Sequence, residues 1–547
     1  MQLKYKYNLM IAVFLLCTGM IFAQQTENVI LSAIQKEVDR NKAELKIDKL
    51  KPPFFISYTI FDFKGIEVAA SLGALSHSIE YNNRGGKPSL LVGDYNRNNS
   101  NYNIRNYVKS VSLENDPKGI AIAIWEDLDK VYKNSAEAYE SKLAAIAQQK
   151  LEEDEANLLD LEQTPPITLI LEKEKVNLDK NYWDNYAKKA SEIVKKYPEI
   201  ISSGVNILVR DAMIYIYNTE NTQIAIPAPY YRLQFSISTV TEDGQELSDH
   251  LYIEHSTFEQ IPELQKFIDS CELIIKDFIA LRNAPLIQEA YSGPVLFEGM
   301  AVAEAFHTHF FNNQTLNARR KAVGGYGGNN TEMMKDKKLI SRSLTIKSLS
   351  GTETYKGKKL DGYFPVDAEG VVPDKELLLV ENGVLRNMLN GRTPTKKFQH
   401  SNGHAKFNFN SYSVATAPGN ILFTSNDTYS IDELKKKLLA AAKEEDFEYA
   451  YIVRRYRNNN PLAVYKIYVE DGREELVRGV SLPDLNTKSF KRVLGASNRE
   501  LFHTACYFGS FTTYIVPGAF LFEELEVTRN NNITFKTPFI VPKPATN

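Results

Sequence analysis

The sequence contains little cysteine and tryptophan, and it has no long apolar run beyond its first residues. Only three of its 547 residues are cysteine and two are tryptophan. So few cysteines exclude a small domain built on a disulfide framework. No later segment has the roughly 18 consecutive apolar residues that indicate a transmembrane helix. The mature chain is therefore predicted to have no transmembrane segment.

Neither positive nor negative charge predominates in the sequence. The chain has 65 basic and 68 acidic residues, for a net charge of −3, and no long basic stripe interleaved with aromatic residues. Nucleic-acid binding would need such a stripe to neutralise phosphates, so no nucleic-acid partner is predicted. Hydrophobic residues make up 43% and charged residues 24%, as in ordinary globular proteins. Aromatic residues at 11%, led by tyrosine and phenylalanine, favour β-structure.

The first 23 residues have the anatomy of a secretory signal peptide. Lys4 and Lys6 give a short positive region, the run from residue 9 to residue 17 is apolar, and Ala23 is the small residue required before a cleavage site. We therefore expect residues 1–23 to be removed and the mature protein to be periplasmic or extracellular. Lipid attachment at Cys17 is disfavoured because a small residue is expected immediately before a lipid-modified cysteine, and this position holds Leu16.

Two cysteines, Cys271 and Cys506, remain after this cleavage. They could form one disulfide in an exported protein, or they could be two buried thiols that pack as small apolar groups. The sequence leaves both alternatives open.

The spacing of apolar residues predicts an α+β protein with two lobes. An N-terminal α/β lobe over residues 24–285 has long helices and a β meander, and a C-terminal β-rich lobe over residues 286–547 has many short strands. The dipeptide Asn382-Gly383 in the second lobe indicates a tight hairpin. The helices of the first lobe are predicted over residues 122–161, 179–197 and 262–281. Its strands are predicted over residues 54–60, 89–93, 205–209, 213–217, 230–240 and 250–253, with Arg210-Asp211 as a short connection.

Candidate chemistry lies in the strand-to-helix segment over residues 292–310. Glu304 and His307 are three apart, so they share one face of a helix, and a Glu-x-x-His pair can ligate a metal ion. We take Glu304 as the candidate catalytic residue and Glu304, His307 and His309 as candidate metal ligands. Glu304 is expected to face a cleft with His307 close by, whereas Glu298 at the helix entry is expected to be structural. The alternative is a solvated helix face.

His400 and His404 are the other notable pair. They flank Ser401-Asn402-Gly403, and on a turn both could line a binding cleft, so they are candidate binding residues. The alternative is a polar loop with two solvated histidines. Cys506 with His503 three residues earlier could be a nucleophile and base, but the sequence offers no third member.

The ordered series of motifs in the second lobe resembles the TldD/PmbA family of zinc metallopeptidases and their inactivated homologues. The resemblance runs from about residue 290 to the C-terminus and is looser over residues 24–285. It is carried by Gly293-Pro294-Val295-Leu296-Phe297-Glu298-Gly299, Glu381-Asn382-Gly383-Val384-Leu385, Arg392-Thr393-Pro394, Ser401-Asn402-Gly403-His404-Ala405 and Phe522-Glu523-Glu524-Leu525-Glu526.

Catalytic members of this family carry His-Glu-x-x-x-His in the helix that follows the first motif. This chain has Ala303-Glu304-Ala305-Phe306-His307-Thr308 there, so the two histidine positions hold Ala303 and Thr308. The resemblance therefore implies the family's non-metal subunit type. It also implies a dimer, either of this chain or with a metal-bearing homologue, that encloses a cavity for extended peptides, and zinc as the metal of the catalytic members.

These observations favour an exported subunit, non-catalytic or weakly catalytic, that binds peptide or unfolded polypeptide for processing. Strand addition would suit this role because backbone pairing does not depend on side chains. The first alternative is an active zinc peptidase with an altered ligand set from Glu304, His307, His309 and one of His400 and His404. The second alternative is a non-enzymatic envelope binding protein on the same scaffold.

Overall fold

A computed structural model describes residues 28–533 except 103–107, 149–154, 156, 324–327, 410–411, 458–459, 508 and 532. The predicted signal peptide and its cleavage site lie outside the described residues. Among the helices in these ranges, none combines the length and the apolar character needed to cross a membrane.

The described residues form six α-helices, four of them before residue 285. Asn28 and Asp179 cap the first and third by accepting backbone N–H groups, and Ser430 and Glu433 form a capping box on the last. The helices are α1 (Val29–Glu44), α2 (Pro117–Gln148), α3 (Lys180–Glu192), α4 (Leu264–Asn283), α5 (Met300–His307) and α6 (Ile431–Glu444).

One eight-stranded sheet organises the N-terminal lobe. Its strands are β1 (Pro53–Ser71), β2 (Ala74–Val92), β3 (Lys109–Ser110), β4 (Thr168–Ile170), β5 (Ser202–Asn218), β6 (Gln223–Pro227), β7 (Tyr230–Val240) and β8 (Glu246–His255). The main order is β3-β2-β1-β5-β6-β4, and β7 pairs with β5 on one side and β8 on the other. Helices α1 and α2 cover one apolar cluster of this sheet, and α3 and α4 cover another.

The C-terminal lobe contains two larger sheets and two small hairpins. A six-stranded sheet has the order β14-β13-β10-β17-β25-β24, and an eight-stranded sheet has the order β18-β23-β26-β9-β19-β20-β21 with β22 beside β26. The strands up to β17 are β9 (Tyr291–Glu298), β10 (Leu344–Ser348), β11 (Thr354–Tyr355), β12 (Lys358–Lys359), β13 (Leu377–Glu381), β14 (Val384–Leu385), β15 (Ala405–Asn408), β16 (Ser413–Thr416) and β17 (Asn420–Ser425). The remaining strands are β18 (Thr428–Tyr429), β19 (Tyr449–Arg457), β20 (Asn460–Tyr468), β21 (Glu474–Val477), β22 (Val480–Ser481), β23 (Val493–Ser497), β24 (Glu500–Tyr507), β25 (Ser510–Pro517) and β26 (Ala519–Arg529).

The α+β prediction is confirmed, and so are the meander of β7 and β8 and the Asn382-Gly383 hairpin between β13 and β14. No sheet in the described ranges mixes strands from before and after residue 285. The predicted break at Arg210-Asp211 is wrong, because β5 is continuous there. β5 pairs with β7 up to Arg210 and with β6 from Met213, so the charged pair marks a change of neighbour.

The helix predicted over residues 122–161 is also corrected. Helix α2 begins five residues earlier, at Pro117, a residue that suits the first turn because its missing N–H is not needed there. Its described part extends to Gln148, and residues 157–161, which the prediction included, are not helical: the Asp160 N–H donates to the Tyr95 carbonyl at 3.0 Å.

Candidate functional site

The candidate site is built on the turn from β9 into α5. Gly299 makes this turn with φ +64°, a conformation that glycine adopts without steric cost. Helix α5 lies between the two large sheets of the C-terminal lobe, and the chain continues as a π-helix over Thr308–Asn312. A π-helix, in which backbone hydrogen bonds join residues five apart, is rare and is frequently found at functional sites. The residues of α5 from Ala301 to His307 are all buried.

Glu304 lies beneath β24, with 7% of its surface exposed. Its Oε1 atom is 3.4 Å from Nε2 of His503 and 3.4 Å from the hydroxyl of Tyr507, which donates to it. His503 and Tyr507 are four apart in β24, so they lie on the same face of the strand. A carboxylate beside an imidazole can take up or release a proton, which is the chemistry of a general base.

His307 belongs to the same cluster, although its hydrogen bond goes elsewhere. Its Nδ1 is 2.7 Å from the hydroxyl of Tyr514, and its ring stacks on Tyr507 with centroids 3.5 Å apart. Burial lowers the pKa of His307 to about 4, against an opposing effect of the Glu304 charge. His307 is thus a neutral imidazole near neutral pH. The structure gathers Glu304, His307 and His503 into one cluster with the two tyrosines.

The sequence prediction missed Tyr507 and Tyr514, and it considered His503 only as a base for Cys506. His503 and Cys506 are three apart on a strand, so they face opposite sides. His503 therefore cannot act as the base that deprotonates Cys506. The backbone N–H of Cys506 donates to Glu254 of β8, and burial raises the pKa of the Cys506 thiol to about 12. The alternation of His503, Ala505 and Tyr507 on one strand face was the signal that could have found this cluster.

Two further candidate residues, His309 and Glu298, lie outside the Glu304 cluster. His309 stacks on Phe490 with centroids 4.9 Å apart, and burial lowers its pKa to about 4. Glu298 pairs with Arg454 at 2.8 Å and with Lys435 at 3.6 Å. These ion pairs, in addition to the helix entry, account for a structural role of Glu298.

His400 and His404 also lie apart from the cluster. His400 has 87% of its side chain exposed and pairs with Glu162 at 2.8 Å. His404 is fully buried, its Nε2 is 2.8 Å from Ser348 Oγ and 3.1 Å from Ser350 Oγ, and burial lowers its pKa to about 3. The two histidines therefore do not share one cleft wall.

The positions that bear histidine in the catalytic family members do not suit zinc in this chain. Ala303 has no donor atom, and Thr308 offers a buried hydroxyl that makes no hydrogen bond in the described structure. Across the described ranges, no three His, Cys, Asp or Glu side chains form a group that could hold a metal ion. The two cysteines are free thiols, which settles the open alternative against a disulfide between them.

A second feature of the site is the outer edge of β24. This strand ends the six-stranded sheet, with β25 on one side only among the described residues. The N–H of Cys506 points away from β25, since it donates to the Glu254 carboxylate at 2.9 Å. By the alternation of an antiparallel ladder, the backbone groups of Phe502 and Thr504 point the same way. Glu254 lies on β8, itself an edge strand, so two sheet edges meet at this place.

Three comparisons with known proteins bear on this architecture. A family model described as the PmbA/TldA metallopeptidase C-terminal domain matches residues 290–529. No curated protein sequence matches the chain. Similar solved structures include TldE from Thermococcus kodakarensis, with a TM-score of 0.58 and 12% identity over 91% of this chain and 100% of that one.

Two proposed modulators of DNA gyrase have the same fold. The protein from Thermotoga maritima aligns with a TM-score of 0.56 and 16% identity, over 90% of this chain and 100% of that one. The protein from Bacteroides thetaiotaomicron aligns with a TM-score of 0.58 and 13% identity, over 93% of this chain and 100% of that one. At such identities these likenesses show the fold alone.

The C-terminal lobe is thus similar to the C-terminal domain of PmbA/TldA metallopeptidases, and α5 lies within the matched residues. Residues 290–529 therefore correspond to a C-terminal domain of the TldD/PmbA family, and the chain as a whole has the fold of TldE.

Proposed function

We propose that this chain is an exported TldD/PmbA-family subunit that holds extended peptide at the outer edge of β24, and that it is non-catalytic or weakly catalytic. The observation that carries the proposal is the geometry of β24. One edge of its backbone faces away from β25, while its His503 and Tyr507 side chains contact Glu304 on α5. A strand added to this edge would therefore lie beside the Glu304 cluster.

Backbone pairing suits a substrate of varied sequence, because the N–H and C=O groups of any extended peptide repeat along the chain. Phe502 and Thr504 supply two such pairs of groups. A weak catalytic role would use Glu304 with His503 as a general base, whereas Ala303 and Thr308 argue against the family's zinc chemistry. In this proposal the chain works as a homodimer or with a metal-bearing homologue that completes the peptide chamber.

A proline at Thr504 tests the proposal. Thr504→Pro removes an N–H that faces away from β25, so the pairing of β24 and β25 keeps its hydrogen bonds. We expect the affinity for fluorescein-labelled casein peptides, measured by fluorescence anisotropy, to fall by up to about tenfold, as the loss of one backbone hydrogen bond predicts.

The matched control is Thr504→Val, which keeps the backbone N–H and the shape of the side chain. It should bind the peptides as the unchanged protein does. Equal binding by the proline and valine variants would show that the peptide does not pair with the backbone of β24.

A further inference from the structure

A cavity of about 260 Å³ lies between the two lobes, next to the turn from β24 to β25. Its wall is mostly apolar and is formed by residues of both lobes, among them Phe61, Phe63, Ile214, Phe407, Phe409 and Phe511. The size and the apolar wall are those of a small-ligand site rather than of a surface for a folded partner.

Three basic residues line the cavity, and two of them, Arg210 and Lys406, lie beside its aromatic rings. The Arg210 guanidinium is 4.9 Å from the ring centre of Phe63 and 5.9 Å from that of Tyr230. Lys406 Nζ donates to the backbone carbonyls of Phe511 at 2.8 Å and of Pro418 at 3.0 Å. The rings of Tyr230 and Phe511 are 5.5 Å apart, so Arg210 and Lys406 flank one aromatic pair.

Among the described residues no carboxylate is seen in an ion pair with Arg210 or Lys406, although Glu174, Glu353, Asp361 and Asp367 line the same cavity. Asp361, which also lines the cavity, is occupied by Ser256 and Gln260, which donate to it at distances from 2.8 to 3.1 Å, and by His255 at 3.0 Å. Cations removed from water are costly unless an anion compensates them. The cavity therefore combines apolar walls with two half-buried cations that form no direct ion pair, although carboxylates also belong to its lining.

We propose that this cavity binds a carboxylate carried on an apolar group, with Lys406 and Arg210 holding the carboxylate and the phenylalanine walls holding the apolar part. Arginine suits this role because its planar fork matches the two oxygens of a carboxylate. Such a ligand comes from one of two sources, a free fatty or aromatic acid or the C-terminal residue of a peptide.

Isothermal titration calorimetry with three probes tests the proposal and separates the sources. The probes are octanoate, a tetrapeptide of three alanines and a C-terminal phenylalanine, and the same peptide with a C-terminal amide. The titration is run at about pH 6, because burial lowers the pKa of Lys406 to about 7 and the ammonium is charged below it. We expect at least one acid to bind about tenfold more tightly than the amide, as a charge-assisted hydrogen bond predicts.

Lys406→Met and Arg210→Gln should each weaken binding of that acid by about tenfold. Lys488→Met, which changes an exposed lysine elsewhere, should not. Binding of octanoate alone assigns the site to free acids, and binding of the peptide acid alone assigns it to peptide ends. The site is refuted if neither acid binds, or if the amide binds as tightly as the acid.

The affinities of the acid and the amide are compared on the unchanged protein. This comparison therefore tests the proposal even if a cavity variant fails to fold. Thr504→Pro should leave octanoate binding unchanged, which separates this cavity from peptide pairing at β24. If Lys406→Met and Arg210→Gln both fold and both bind the acid normally, the proposal is wrong.

Discussion

Replacing Asp160 by asparagine is expected to lower the free energy of unfolding by about 3–5 kcal/mol, the usual cost of leaving a buried charge without its partner. The Asp160 carboxylate is fully buried and lies 2.7 Å from Lys142 Nζ of α2, 3.3 Å from Arg97 and 3.2 Å from Arg320 of the C-terminal lobe. The asparagine keeps the shape and loses the charge, so three cations remain around a neutral group. Urea unfolding followed by circular dichroism measures the change.

Asp129→Asn is the matched control. Asp129 pairs with Lys133 at 2.7 Å one turn along α2, but both side chains are exposed. Water screens such a pair, so the expected loss is about 0.5 kcal/mol or less. If Asp160→Asn lowers the free energy of unfolding no more than Asp129→Asn does, the buried ion pairs of Asp160 do not stabilise the contact between the two lobes.

The protein is also expected to lose stability steeply below about pH 6.5, because three buried histidines must stay neutral in the folded state. Burial lowers the pKa of His307 and His309 to about 4 and that of His404 to about 3. Between the ordinary pKa and these values the unfolded chain binds protons that the folded chain does not. Stability is therefore complete above about pH 6.5 and falls by up to about 1.4 kcal/mol per pH unit for each histidine.

Urea unfolding at about pH 7 and about pH 5 measures this effect, and His309→Phe isolates one histidine. Phenylalanine retains the stacking on Phe490 and cannot be protonated, so the difference between the two pH values should shrink. The comparison of variants is needed because Asp367, whose pKa burial raises to about 7, acts in the opposite direction. His400→Ala, at an exposed position, should leave the difference unchanged. An unchanged pH dependence in His309→Phe would contradict the expected effect.

Local signals in the sequence predict much of the fold. Asn382 and Gly383 both adopt positive φ, which is why this dipeptide indicates a hairpin from sequence alone. The alternation of apolar residues in β7 likewise reports its burial. The continuity of β5 could not be predicted, because it depends on β1 pairing along one side while β7 and β6 divide the other.

The site was less predictable for the same reason. Glu304 and His307 are near in sequence, and helical spacing was enough to associate them. Their actual partners, His503, Tyr507 and Tyr514, lie about 200 residues further along the chain and reach α5 only through the order of the six-stranded sheet. The burial of His404 against Ser348 likewise depends on a contact between distant strands and loops.

The metal content of the purified protein tests the central claim most directly, namely that the Glu304 cluster works without the family's zinc ligands. We expect substoichiometric zinc by mass spectrometry after the purified protein is supplied with zinc and desalted, because Ala303 and Thr308 occupy the ligand positions. Near-stoichiometric zinc that disappears in a His307→Ala, His309→Ala double variant would contradict it and would establish a zinc peptidase with an altered ligand set.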